Sequence, residues 1–177
     1  MTTLIALLRG INVGGNNKLP MKDLAALLTG VGLRDVQTYI QSGNVVFRSD
    51  LKNKAALAAK ITATIETQHG FAPPILLLEA AELKKSMAGN PYPEAESEPK
   101  SLHLFFLDEV PSKPDLKALD AIKADNERYK LAGKVFYLHA PDGVGNSKLA
   151  ARAEKLLGVT ASARNWNTVC KLAEMAA

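Results

Sequence analysis

The sequence predicts an α+β fold made of two tandem halves, and three observations carry that prediction. Short apolar runs with strand character alternate with stretches whose apolar residues recur about every three or four positions, as on one face of a helix. The order strand, helix, hairpin, helix, strand occurs twice along the 177 residues. Tyr39, Gly43, Val45 and Phe47 in the first half answer Tyr129, Gly133, Val135 and Tyr137 in the second, with Pro20 and Leu24 loosely answering Pro114 and Leu116. Each half then reads as a split β-α-β unit of ferredoxin-like type. The expected lobes are residues 1–88 and 101–177, the second with a C-terminal helix, joined by a Pro/Glu-rich linker at 89–100. Two helices cover only one face of such a sheet. Strands apolar on both faces need cover on the other too, so the lobes are expected to share a joint core.

Each element has its own local reason. The run at 3–8 is apolar on both alternating faces and reads as a buried strand. A Gly/Asn-rich loop spans 10–19, and Pro20 suits the first position of a helix that puts Met21, Leu24, Leu27, Leu28 and Val31 on one face. Gly30 and Gly32 are its stop signals. Residues 36–48 predict a hairpin turning at Ser42-Gly43. That turn sets Ile40 opposite Val45 and Thr38 opposite Phe47, with Tyr39 and Val46 on the other side. Asp50 is expected to cap a helix through His69, with Leu57, Ile61 and Ile65 inward and Gly70 ending it. A strand at 75–78 and a short helix at 80–88 follow.

In the linker, Pro91, Pro93 and Pro99 stand among Glu94, Glu96 and Glu98, which read as solubilising spacers. Beyond it come a strand at 102–107 and a helix at 114–124 with Leu116, Leu119 and Ile122 inward. A hairpin at 129–139 around Gly133 and a helix at 147–157 stopped by Gly158 follow. A last strand at 159–163 leads to a closing helix over 165–176.

Composition narrows the functional classes. Hydrophobic residues make up 47% and charged residues 23%, which are ordinary globular values. A chain of this length buries roughly 70% of its unfolded surface, so it needs no disulfide or metal staple. Its one cysteine, Cys170, cannot close an internal disulfide. It is expected to be inert within the last helix and points to a reducing compartment. The first residues lack the basic region of a signal peptide, and no apolar stretch approaches the roughly 18 to 20 residues that span a bilayer. A cytoplasmic protein with no membrane partner is therefore expected. A net charge of +4 and a pI near 9.1 are compatible with anionic partners without requiring them.

Two segments are hard to explain by packing alone. The first is Arg9-Gly10-Ile11-Asn12-Val13-Gly14-Gly15-Asn16-Asn17-Lys18, longer than the usual strand-to-helix loop. Amides freed at Gly14-Gly15 beside a helix N-terminus, flanked by Arg9 and Lys18, suit a phosphate or carboxylate. A flexible turn with two solvated cations explains the same residues equally well. The loop lacks both the P-loop lysine and the dinucleotide fingerprint. The second is Arg164-Asn165-Trp166-Asn167-Thr168, where Arg164 suits an anion and either Asn165 or Asn167 suits a helix cap. Trp166 reads foremost as a core anchor.

Ser42 and Asn44 read first as turn residues and second as ligand contacts. His139, near Asp142, suits a base or a phosphate contact, against the commoner structural role of a histidine at a strand end. Lys148 and Arg152 lie one helical turn apart and suit either a shared anion or a solvated face. No nucleophile elbow, zinc-binding helix pair or Cys/His ligand spacing occurs, so no catalytic residue and no metal site is assigned. The residues name no cofactor.

Together these segments resemble the domain-of-unknown-function family 1697. The resemblance rests on Leu7-Leu8-Arg9-Gly10-Ile11-Asn12-Val13-Gly14-Gly15 and on Tyr39-Ile40-Gln41-Ser42-Gly43-Asn44-Val45-Val46-Phe47. It continues in Gly143-Val144-Gly145-Asn146-Ser147-Lys148-Leu149, in Glu154-Lys155 and in Ala163-Arg164-Asn165-Trp166-Asn167-Thr168-Val169. Ser162 stands where the family commonly has threonine. The resemblance implies a cytoplasmic bacterial-type α+β protein with two ferredoxin-like lobes, and it carries over no catalytic residues. The leading functional expectation is a site for a small anionic ligand built from Arg9, Asn12, Gly14, Gly15, Ser42, Asn44, Arg164 and Asn165, with turnover left open. Nucleic-acid binding is the alternative, disfavoured because the hairpin strands lack the aromatic RNA-recognition pattern. A homo-oligomeric interaction module using a sheet edge is the third, and the sequence leaves the oligomeric state open.

Overall fold

A computed structural model describes all 177 residues, Met1–Ala177. The chain divides into two compact units, one of Met1–Lys85 with Lys171–Ala177 and one of Ser86–Cys170. It is a mixed α+β protein with two four-stranded antiparallel sheets and six α-helices.

The first unit runs β1 (Thr2–Leu8), α1 (Met21–Gly30), β2 (Arg34–Tyr39), β3 (Asn44–Ser49), α2 (Lys54–His69), β4 (Ile75–Glu79) and α3 (Ala80–Ala88), whose last residues pass into the second unit. Its sheet order is β2-β3-β1-β4. Leu4, Ala6 and Leu8 of β1 meet Val45, Phe47 and Leu77 of the sheet with Leu24, Leu28, Leu57, Ile61 and Ile65 of the helices. Ile5 and Leu7, on the opposite face of β1, are also fully buried, as a strand apolar on both sides requires.

Three local expectations are corrected here. Pro20 stands just before α1 rather than inside it. Asn53, not Asp50, caps α2, its Oδ1 accepting from the Ala56 N–H at 3.0 Å. Asp50 instead pairs with the terminal amine at 3.3 Å. The β2–β3 register is shorter than expected, with Thr38 opposite Val45 and Tyr39 opposite Asn44. Residues 40–43 all belong to the turn because Ile40 and Gly43 both take positive φ, 48° and 88°.

The second unit runs β5 (Leu102–Leu107), α4 (Leu116–Ile122), β6 (Arg128–Ala132), β7 (Val135–His139), α5 (Lys148–Leu157), β8 (Ala161–Asn165) and the start of α6 (Trp166–Met175). Its sheet order is β6-β7-β5-β8. Phe105, Phe136 and Leu138 pack with Leu119, Leu149, Ala153 and Leu157, and the Phe105 and Phe136 rings meet edge to face at 5.5 Å. Leu116, expected inward, is 45% exposed, because a helix of only two turns turns Leu119 to the core and leaves Leu116 at its rim. The last strand starts two residues later than expected, so Arg164 and Asn165 lie in β8.

The 89–100 segment, expected as a linker, carries a 3-10 turn at Pro93–Ser97 with Ala95 buried. No helix is long and apolar enough to cross a membrane.

Candidate functional site

The loop after β1 is a miniature hairpin. The Asn12 N–H donates to the Asn17 carbonyl at 3.0 Å and the Asn16 N–H to the Val13 carbonyl at 2.9 Å. Gly14 and Gly15 form its tip with φ of 58° and 78°, the pair of left-handed residues a type I′ turn demands. The Asn12 side chain braces the base. Its Oδ1 accepts from the Leu19 N–H at 2.8 Å, and its Nδ2 donates to the Leu19 carbonyl at 2.9 Å and the Gln41 carbonyl at 2.8 Å. Both amide hydrogens are thereby used, so Asn12, a candidate ligand contact, instead ties the loop to the β2–β3 turn. Asn17 adds a bond from its Nδ2 to the Gly10 carbonyl at 3.1 Å.

That second turn fits the first closely. A Cβ on Gly43 would lie 2.7 Å from the Leu8 Cβ and 2.9 Å from the Ile11 Cδ1, so only glycine fits. The Asn44 side chain is fully buried, with its Nδ2 donating to the Tyr39 carbonyl at 3.1 Å and the Ser42 Oγ at 2.9 Å. Sealed from solvent, Asn44 closes the turn. Arg9, Gly14, Gly15, Asn16, Lys18 and Ser42 remain exposed around the two tips. The Arg9 backbone N–H is held by the Pro74 carbonyl at 3.1 Å. Helix α1 begins just beyond, and Pro20 offers its first N–H groups no side-chain cap.

The other candidates lie in the second unit. The Arg164 Nη1 donates to the Ala163 carbonyl at 2.8 Å, and burial lowers its pKa to about 10, which leaves it charged at neutral pH. Asn165 caps α6, its Oδ1 accepting from the Thr168 N–H at 2.9 Å. Trp166 is buried, and Asn167 is exposed at a hollow of about 360 Å³ with Lys100, Ser101 and Gly143. Lys148 and Arg152 are exposed on α5. Cys170 is exposed too, and its thiol pKa is raised by burial of its surroundings and by Glu96.

His139 does not meet Asp142, which accepts from Asn126 Nδ2 at 2.9 Å. It lies 3.0 Å from an Arg128 guanidinium nitrogen, and desolvation, then that cation, lower its pKa. Arg128 also pairs with Glu94 and stands over the Tyr92 ring at 4.4 Å. Glu94, read from sequence as a spacer, is an ion-pair partner, and its pKa is lowered chiefly by the hydrogen bond from Arg128. Sequence reasoning missed Tyr92, Glu94 and Arg128. The available signal was Tyr92 lying between Pro91 and Pro93, an aromatic that a solvated spacer would not need. No group of three or more His, Cys, Asp or Glu side chains gathers to hold a metal ion.

A family model described as "Protein of unknown function (DUF1697)" matches residues 1–137. The chain is a DUF1697 protein. The matched stretch contains the whole Arg9–Lys18 loop and the Gly43 turn against it, so the geometry above describes part of the family's shared region. The segments from Gly143 onward that carry part of the sequence resemblance lie beyond that stretch. Among solved structures, the chain is similar to the conserved bacterial protein SP0830 from Streptococcus pneumoniae, at 24% identity and a TM-score of 0.69 over 99% of both chains. That likeness establishes a shared fold. Comparison with curated proteins finds no match.

Proposed function

We propose that this DUF1697 protein binds a small anionic ligand, bearing a phosphate or carboxylate, at the loop between β1 and α1. The observation that carries the reading is the Gly14-Gly15 tip, where two consecutive left-handed glycines turn outside the bonds that close the hairpin. Successive amides in such a turn form a cradle for an anion, and Lys18 and Arg9 supply positive charge on either side. Asn12 and Asn44 act as braces in this reading, Asn16 and Ser42 as polar neighbours. Pre-ordering matters because a loop already fixed by Asn12 gives up little entropy on binding. Arg164 and Asn167 are candidate contacts of the second unit, considered separately. The βαββαβ order of each sheet supports reading both units as ferredoxin-like. The lone cysteine favours a reducing, cytoplasmic setting.

Calorimetric titration with inorganic phosphate, nucleotides and phosphorylated or carboxylated metabolites tests the proposal. At least one of these anions is expected to bind, and Lys18→Ala is expected to weaken it about tenfold, in line with losing one charge-assisted contact. Equal affinity in wild type and Lys18→Ala would place the anion elsewhere.

A further inference from the structure

Two aliphatic side chains stand in the open beside the Gly14-Gly15 turn. Val13 is 64% exposed and Ile40 49% exposed. Each lies one residue from an end of the 2.8 Å bond that joins the Asn12 Nδ2 to the Gln41 carbonyl. Ile40 takes a φ of 48°, a left-handed backbone that glycine or asparagine adopts readily and a β-branched residue does not. Neither the turn nor burial accounts for an isoleucine there. We propose that Val13 and Ile40 form an apolar rim to the anion site, whose ligand is a small amphiphile: a carboxylate or phosphate carrying a short aliphatic chain. The inference rests on the anion reading above and supplies the other half of the ligand.

Charge and area together name this occupant. Lys18 and Lys22 are exposed, and the stretch 9–22 that carries them holds no acid. Residues 36–47, which form the facing turn and its strands, hold none either. Nor do residues 70–78, whose Pro74 carbonyl takes the Arg9 N–H. The acids at the borders of these stretches are placed elsewhere: Asp35 pairs with Arg48 at 3.5 Å, and Asp23 lines a hollow between α1 and α2. Positive charge therefore lies beside apolar surface with no carboxylate in either segment, the complement of an anion with an apolar tail. Two aliphatic side chains offer less apolar area than a single myristoyl chain, which alone holds a protein only marginally on a bilayer. A free amphiphile fits the rim better than a membrane does.

The test titrates the full, isotope-labelled chain, read by amide and methyl resonances, with two series of anions. One is acetate, butyrate and hexanoate; the other is methyl, butyl and hexyl phosphate, and hexanol is the uncharged control. In at least one series affinity is expected to rise about two- to threefold per methylene, short of the roughly fourfold that full burial gives. The hexyl anion is expected to move the Val13 and Ile40 methyl resonances together with the Gly14 and Gly15 amides, and the shortest anion to move the amides alone. Hexanol is expected to bind at least tenfold more weakly than the hexyl anion. Ile40→Asn with Val13→Thr is expected to flatten the series, and asparagine suits the left-handed position. If that variant fails to fold, the wild-type methyl shifts still decide. Affinity independent of chain length, a gradient that survives in the double variant, or hexanol binding as tightly as the hexyl anion would overturn the proposal. Amide shifts that Lys18→Ala weakens would then leave the anion reading standing, whereas no Lys18-dependent shift with any anion would overturn both. Binding to phosphatidylglycerol vesicles beside a flat soluble series would overturn it in favour of a membrane surface.

Discussion

Gly43 and Asn12 show how single residues set the loop that the functional proposal rests on. Gly43→Ala adds a methyl group 2.7 Å from the Leu8 Cβ at a φ of 88°. Left-handed strain of about 1–2 kcal/mol and overpacking of about 1–3 kcal/mol then act together. Urea unfolding is expected to show a loss of several kcal/mol, whereas Gly133→Ala, with open space around its Cβ, should lose only the backbone part. Asn12→Ala removes three hydrogen bonds worth about 1 kcal/mol each, and a loss of about 2–3 kcal/mol is expected in the same assay. The sequence placed Gly43 in a hairpin turn without showing its contact with Leu8 and Ile11, and it marked Asn12 as unusual without showing why. A polar residue in a glycine-rich loop reads alike whether its amide faces a ligand or a backbone carbonyl seven or 29 residues away. Asn44 was ambiguous for the same reason.

At the scale of elements, periodicity located nearly every strand and helix, because Leu57, Ile61 and Ile65, or Leu149, Ala153 and Leu157, can be buried together only on a helix. Ends were less legible where several polar residues compete to cap, as Asp50 and Asn53 do before α2. The start of α5 was plainer, since Ser147 is its cap, with Oγ accepting from the Ala150 N–H at 3.0 Å. Its partner was invisible in the sequence: the Ser147 hydroxyl donates to the buried Glu127 carboxylate, which accepts from the Ala124 N–H at 2.8 Å. Ser147→Ala therefore removes a cap worth about 1 kcal/mol and leaves a buried carboxylate short of a donor, at a further cost of about 1–3 kcal/mol. Thermal or urea unfolding should show a loss of about 2–4 kcal/mol, with Ser147→Thr recovering most of it.

Across the whole molecule, the doubled strand-helix-hairpin-helix-strand order was legible as a repeat, and both four-stranded sheets carry it. The cluster of Tyr92, Glu94, Arg128 and His139 was not, because it joins residues up to 47 positions apart that no local pattern links. Stability against acid belongs to this scale. His103, in the middle of the second sheet, is buried with no partner for its Nδ1, and desolvation lowers its pKa from 6.5 to about 4. The unfolded chain binds that proton more readily than the folded one does. The neutral histidine therefore leaves stability intact above pH 6.5, and stability falls as pH drops from 6.5 towards 4. Unfolding at pH 7 and pH 4.5 should differ by about 2–3 kcal/mol from this group alone, and His103→Leu should remove that share. An unchanged pH slope in His103→Leu would show that another group titrates.

The anion reading concentrates on two amides. In a nitrogen-15 correlation spectrum, titration with phosphate or a ligand identified by calorimetry should shift Gly14 and Gly15 together along one saturable curve, because the Asn16 N–H is already given to the Val13 carbonyl. Lys18→Glu should abolish those shifts while leaving the fold intact. If the anion binds yet moves neither resonance, or moves them equally in Lys18→Glu, the Gly14-Gly15 turn is not an anion cradle.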